Sequence, residues 1–312
     1  MKLDKASGSA PGKTFLLGEY LAISGGPSIL LSTAPRFSFR SFLHSHLEAN
    51  LPEGSPAANY LKMLCRPARY EWSDPHHRAG GLGASSAQFA LLYASHLVDQ
   101  GINKEEWLKP SRIAEMLNVY RECAWSGDGL APSGADVVSH FSGGITFFDG
   151  KTKQATQLKW GFANLSFSLF RTGHKLPTHL HLQLAQKTDD RIFSEAVEIA
   201  RLAFQEGDSN RLGQAVNQYR IELERQGLTA ETTLDLLRSV EQVQGVLAAK
   251  GCGALGADVI LVLHTPAAED NLKDWLKDWL KDWALQKSLS ACGSLAELAP
   301  GLEVSVQVGG GR

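Results

Sequence analysis

Residues 80–86, GGLGASS, have the composition of a turn that holds phosphate. They run into an apolar segment with roughly helical spacing (Phe89, Leu92, Ala94, Leu97), which stops at Gly101. A glycine-rich turn feeding a helix start leaves backbone N–H groups and the positive end of the helix dipole aimed at one spot. Glycine lets the backbone approach an anion and adopt positive φ, and the hydroxyls of Ser85 and Ser86 can reach a phosphate oxygen or its magnesium. The plainer alternative is a helix cap after a flexible loop. Three charged residues stand at turns or helix ends where chemistry could use them. Lys13 follows Pro11 and Gly12 and precedes a short apolar strand; it is either a solvated loop lysine or a fixed point charge for a phosphate or a reacting hydroxyl. Asp136 follows Pro132, Ser133 and Gly134 and precedes two valines; it is either a helix N-cap or a carboxylate that orients or deprotonates a hydroxyl. Glu122 lies in the last turn of an amphipathic helix predicted over 111–125, as a solvated charge or a magnesium carboxylate.

The elements that must position these residues are partly legible. Strands are predicted over 14–17, 28–32 and 36–42, so the chain opens as a small β-rich unit. Residues 44–80 are polar and proline-punctuated, and Asp74, His76 and His77 read as exposed loop residues without a role. Further strands are expected over 144–148, 165–170, 259–263 and 302–308, with helices over about 190–205, 209–226 and 229–249. Arg171, His174 and Lys175 cluster after one strand and suit an anionic small molecule, whereas His179 and His181 lack further ligands for a metal. The fourfold-spaced LKDW repeat in 271–283 stacks Leu272, Leu276 and Leu280 beside Trp275, Trp279 and Trp283, and its balanced charge favours a surface helix packed on its own domain.

Bulk composition excludes several classes. With 312 residues, 43% hydrophobic and 21% charged, the chain is long enough for two domains or one large one and looks like an ordinary globular protein. A net charge of −2 argues against a nucleic-acid binder. No apolar run approaches the ~20 residues of a membrane span, and the first residues lack the apolar core of a signal peptide, so a cytoplasmic location is expected. The four cysteines contain no CxxC pair and suggest neither zinc nor a disulfide framework.

Taken in order, APGK and GEY within 10–20, GLGASSA at 81–87, PSGAD at 132–136 and KGCGALGAD at 250–258 resemble the motifs of the GHMP kinase superfamily, over essentially the whole chain. The isoprenoid-pathway branch is the nearest likeness. APGK with GEY is similar to the phosphomevalonate kinases and PSGAD to the mevalonate kinases; Val137 leans to the former, and Thr172, Gly173 and Thr178 match a loop common to both. The resemblance implies an α+β, GHMP-kinase-like two-domain fold with the active site between the domains. The N-terminal ATP-binding domain, β-rich with ribosomal-S5-like topology, would cover 1–163, and a ferredoxin-like α+β domain 164–312. It further implies that Gly81, Leu82, Gly83, Ala84, Ser85 and Ser86 wrap the phosphates of ATP and that Ser85 and Glu122 hold Mg²⁺. Lys13 and Asp136 would be catalytic, and Glu19, Ser133, Gly134, Thr172, Lys175, Thr178, Gly253 and Ala254 would face the substrate. The segment KGCGALGAD, the third motif of the family pattern, departs from the family's run of glycines: Leu255 and Ala257 replace glycines, and Cys252 a small hydroxyl residue. The implied activity is transfer of the γ-phosphate of ATP to a small anionic acceptor, phosphomevalonate ahead of mevalonate. A catalytically inactive nucleotide-binding regulator of the same fold is the alternative. Decarboxylases that share the fold lack a lysine at the position of Lys13. Neither nucleic acid nor membrane is expected as a partner; a homodimer is compatible with the resemblance.

Overall fold

Two long strands form the spine of the first sheet. β1 (Leu3–Leu17) and β2 (Pro27–Leu43) are antiparallel neighbours, joined through the short helix α1 (Glu19–Ile23). In the outer part of β2, Phe37, Phe39 and Ser41 are buried while Ser38 and Arg40 are exposed, the period-two alternation of a half-covered strand. Nearer its start, Ile29, Leu30 and Leu31 are all buried because both faces are covered: Leu30 enters one core, Ile29 and Leu31 another. The computed structural model describes residues 3–43, 51–65, 68–77, 80–172, 189–282 and 298–308.

The sheet is completed by β3 (Ala68–Ser73), β4 (Ile145–Asp149), β5 (Gln154–Leu158) and β9 (Glu303–Val308). Its order is β5-β4-β2-β1-β9, with β3 on the far end of β2 and every ladder antiparallel. Helices α2 (Pro56–Met63), α3 (Ala84–Asp99), α4 (Pro110–Ala124) and α5 (Ala135–Ser142) build the first core with one face of this sheet. A second, three-stranded sheet has the order β6-β8-β7, from β6 (Ser166–Arg171), β7 (Val246–Cys252) and β8 (Val259–His264). Helices α6 (Asp190–Glu206) and α7 (Ser209–Arg225), each capped at its start by an aspartate side chain (Asp189, Asp208), pack on one face. Their Phe193, Val197, Leu212 and Tyr219 share a core with Leu261 and Leu263 of β8, with Leu16, Leu17 and Ile29 of the first sheet and with Tyr20 of α1. That shared core welds the two halves. The boundary expected at 163/164 falls between β5 and β6, yet β9, from beyond it, adds to the first sheet beside β1.

The other face of the small sheet is covered by α8 (Glu231–Val240) and α9 (Glu269–Asp282). Leu272 is buried there, Trp275 and Leu276 pack beside it, and Trp275 donates its indole N–H to Ser239 Oγ at 2.8 Å. Leu272, Trp275 and Leu276 of the LKDW repeat therefore face their own sheet; the side chains of Trp279 and Leu280, and Trp283 as a whole, lie outside what is described. One helix expectation fails. The segment 229–249 is not continuous: α8 ends at Val240, Gly245 takes φ 91, and the chain re-enters the sheet as β7. A side chain at Gly245 would strike Ala268 and Thr265, so the chain turns where only glycine fits. Likewise α2, β3 and β5 form in stretches whose composition announces nothing.

Candidate active site

Lys13 does not sit in a turn. It lies within β1, just after a register shift between Ala10 and Gly12, where Pro11 has no N–H to give the ladder. Lys13 itself pairs with Ser32, and its backbone N–H donates to the carbonyl of Leu82 at 3.0 Å, tying the strand to the phosphate loop. Its ammonium lies 5.0 Å over the ring of Phe15.

The loop it holds is shaped by glycine. Gly81 (φ 78) and Gly83 (φ 85) are left-handed, and Gly83 is the N-cap of α3, with no side-chain cap on the helix. A Cβ on Gly83 would stand 2.8 Å from Lys13 Cγ, 2.9 Å from Lys13 Cε and 3.0 Å from His140 Nε2. The Lys13 side chain therefore packs against the loop at the start of α3, whose first N–H groups, at Ala84, Ser85 and Ser86, have no side-chain cap. Leu82 is buried in the shared core and anchors the loop, Ser85 is exposed and Ser86 buried.

Asp136 is not the N-cap of its helix. That position is Gly134 (φ 73), and Asp136 sits in the first turn of α5, its carboxylate accepting the N–H of Val137 at 3.0 Å. A side chain at Gly134 would overlap Leu117, and Ser133 Oγ accepts the N–H of Ala135 at 3.3 Å, so both residues build the turn that presents Asp136. One turn later on α5, at the spacing that puts side chains on one face, comes His140. Its Nδ1 is 3.1 Å from the carbonyl of Pro11 and its Nε2 is 3.0 Å from Ser86 Oγ. Burial pushes its pKa down to about 4, with the Lys13 charge pressing the same way and Asp136 opposing. Both charges thus bear on one neutral ring, with the phosphate loop on its other side. The sequence reading misses His140; its i+4 spacing from Asp136 was the available signal.

The remaining expected residues go to different places. Glu19 is buried and bonded to the ammonium of Lys250 at 2.8 Å. Lys250 also reaches the carbonyl of Phe15 at 3.5 Å and Cys252 Sγ at 3.6 Å, with the Tyr219 ring 5.7 Å away. Burial opposes its charge, but Cys252 and the Glu19 carboxylate outweigh burial and hold its pKa above the ordinary lysine value. Gly253 and Ala254 follow in the third motif, where Asp258 fills the space in front of Gly80, Gly81 and Gly253. The third motif is thereby packed directly on the phosphate loop. Leu255, standing where the family pattern has glycine, takes φ 51, a conformation that strains a branched side chain. Thr172 donates its hydroxyl to the carbonyl of Ala257 and its N–H to that of Asp258 at 3.2 Å. Glu122 is exposed on α4, and among the described residues no group of three or more His, Cys, Asp and Glu is placed to hold a metal. Lys175 and Thr178 lie outside the described residues.

His76 corrects the sequence reading: it is 2% exposed, not a surface loop residue. Arg171 Nη2 donates to its Nδ1 at 3.3 Å, so the proton sits on Nε2 and is donated to the carbonyl of Pro35 at 3.1 Å. Burial first and Arg171 second push its pKa below the ordinary value. Gly12 packs against the same ring.

Solved structures share this arrangement of elements. Mevalonate kinase of L. major in complex with R-mevalonate superposes with a TM-score of 0.68 at 17% identity, covering 94% of this chain and 96% of that one. Streptococcus pneumoniae phosphomevalonate kinase in complex with phosphomevalonate and AMPPNP gives 0.70 at 16%, covering 87% and 96%. The chain has the GHMP kinase fold. Lactococcus lactis galactokinase complexed with galactose, at 0.71 and 14% identity over 96% of this chain and 95% of that one, shows that this fold accommodates chemically different small molecules. No family model and no curated protein matches the sequence. Among the described residues no helix is long and apolar enough to cross a membrane.

Proposed function

We propose that the protein is an ATP-dependent small-molecule kinase whose acceptor is an anionic, mevalonate-type compound, phosphomevalonate before mevalonate. The observation that carries this reading is the packing of the Lys13 side chain against Gly83 at the uncapped start of α3. An uncapped helix N-terminus, a left-handed glycine and the Lys13 side chain meet where a phosphate group would need all three. The residues fit a nucleotide triphosphate, which supplies the phosphoryl group. They fit magnesium only in its company: the described side chains form no cage, and Mg²⁺ usually takes one or two protein ligands plus phosphate oxygens and water. Ser85 and Glu122, both exposed, are the proposed protein ligands.

In the proposed reaction Lys13 offsets charge on the acceptor hydroxyl and favours its alkoxide, and Asp136 orients that hydroxyl or takes its proton. Arg171, hydrogen-bonded to His76, is the cation proposed for the anionic end of the acceptor. A titratable surface lysine would be a weaker choice, because guanidinium pairs with a carboxylate or phosphate through two parallel bonds. The neighbouring fold relatives that hold R-mevalonate and phosphomevalonate are compatible with such an acceptor.

The test is acceptor-dependent ADP release with mevalonate, phosphomevalonate, homoserine and galactose side by side. The expected result is the highest kcat/KM with phosphomevalonate, and a fall in kcat of at least about 10² in Lys13→Met and Asp136→Asn. A higher value with mevalonate overturns the choice of acceptor. The strain at Leu255 favours one second reading, a nucleotide-binding regulator without catalysis. ATP affinity without any acceptor-dependent ADP would establish it.

A further inference from the structure

Segments far apart in the sequence meet at a single imidazole. His140 hangs from the helix that carries Asp136, touches the carbonyl of Pro11 two residues before Lys13, and touches Ser86 in the first turn of α3. We propose that His140 is a positioning residue that sets the distance between Lys13 and the phosphate loop, through one hydrogen bond in each direction. The inference rests on the kinase reading of this site.

The direction of each bond follows from what the partners can do. A proline carbonyl only accepts, so Nδ1 carries the proton. The ring is fully buried next to a lysine and stays neutral, so Nε2 is a bare acceptor and the Ser86 hydroxyl must donate to it. Ser86 Oγ also lies 3.0 Å from the carbonyl of Gly83, which accepts the N–H of Ala87 at 2.8 Å and has a second lone pair to offer. The single hydroxyl hydrogen thus has two acceptors in reach, and it makes the contact with Nε2 a hydrogen bond when it turns to the ring. The ring then holds Ser86, and with it the start of α3, at a set distance from the strand of Lys13. Gly83 is caught between them, its missing Cβ facing Lys13 on one side and Nε2 on the other. A shift of either bond would move the lysine relative to the loop that is to hold the phosphates, and positioning errors of this kind act on rate and affinity separately.

Two amide side chains separate the two bonds. Asparagine places an amide nitrogen near where Nδ1 stands and can keep the Pro11 bond; glutamine places an amide oxygen near where Nε2 stands and can keep the Ser86 bond. In His140→Gln the Lys13 strand loses its bond to this side chain and keeps only the backbone bond to Leu82, and kcat is expected to fall at least about tenfold with KM for ATP within about twofold. In His140→Asn the phosphate loop loses its bond to this side chain, and KM and Kd for ATP are expected to rise about tenfold with kcat less affected. Equal losses in both variants, or wild-type kinetics in both, overturn the proposal, since a merely structural ring would lower the folded fraction without splitting the two parameters. Ring nitrogen NMR of the wild-type chain is independent of turnover: Nδ1 protonated and Nε2 bare at neutral pH is expected, and the opposite tautomer refutes the arrangement. If no acceptor is phosphorylated but the tautomer and the ATP Kd behave as stated, the kinase reading fails and the tie to the loop stands.

Discussion

The Glu19–Lys250 pair joins the first and third motifs, and removing its ammonium should be costly. Lys250 is 0% exposed and Glu19 9%, and Nζ sits 2.8 Å from Oε1. Glu19 Oε2 has no hydrogen-bond partner among the described residues, so the carboxylate depends on this one contact. At an effective dielectric of about 20 the attraction at that distance is about 6 kcal/mol before desolvation. The loss on truncating one partner of such a pair is about 3–5 kcal/mol, because the remaining charge stays buried. At roughly 2 °C per kcal/mol for a chain of this size, Lys250→Met should melt about 6–10 °C below wild type. Pairing it with Glu19→Gln removes the stranded charge and should restore most of the loss, since a neutral replacement of a buried pair is often close to neutral in stability. Calorimetric or spectroscopic melts of the four proteins at one pH, with a denaturant series for the free energies, decide the matter. A single variant within about 1 kcal/mol of wild type, or a double variant as unstable as the two singles added, would refute the reasoning.

Two further perturbations test the centre of the site. His140 has a folded pKa of about 4 against an ordinary 6.5, so the unfolded chain binds more protons between those values. Stability should therefore be full above about pH 6.5 and fall by about 3 kcal/mol as the pH drops to about 4. His76 and His264, also lowered by burial, act in the same direction, and His140→Asn should flatten the pH–melting curve measurably. Gly83→Val places a side chain against Lys13 and His140 at φ 85; ATP affinity by calorimetry should fall at least about 10², and an unchanged Kd would remove this loop from the nucleotide site.

Much of the site's outline was legible because phosphate chemistry constrains backbone, and backbone demands show as glycine. The turns at Gly83 and Gly134 are where the sequence places them, and both are left-handed. What stayed illegible depends on side chains brought together by the fold. Lys13 reads as a turn residue because Pro11 and Gly12 look like a turn; in the sheet they make a bulge inside one long strand. Glu19 reads as a site carboxylate because nothing local reveals the lysine 231 positions away that neutralises it. His76 looks solvated in a polar stretch, and only Phe37, Arg171 and Pro35 from other strands bury it. The helix expected over 229–249 shows the same limit at its end, because a short apolar run such as 246–249 suits a buried strand as well as a helix.

The placement of β9 has a consequence in time. Ser305 pairs with Ser7 across 298 positions, so the strand that bears Lys13 keeps one open edge until residues 303–308 have been made. At about 5–20 residues per second, that is roughly 15–60 s of exposure. During that interval the outer N–H and C=O groups of residues 3–9 are a template for any strand that arrives first, including the same segment of another nascent chain. Arrival of β9 closes the edge, and with it the most direct route to misassembly.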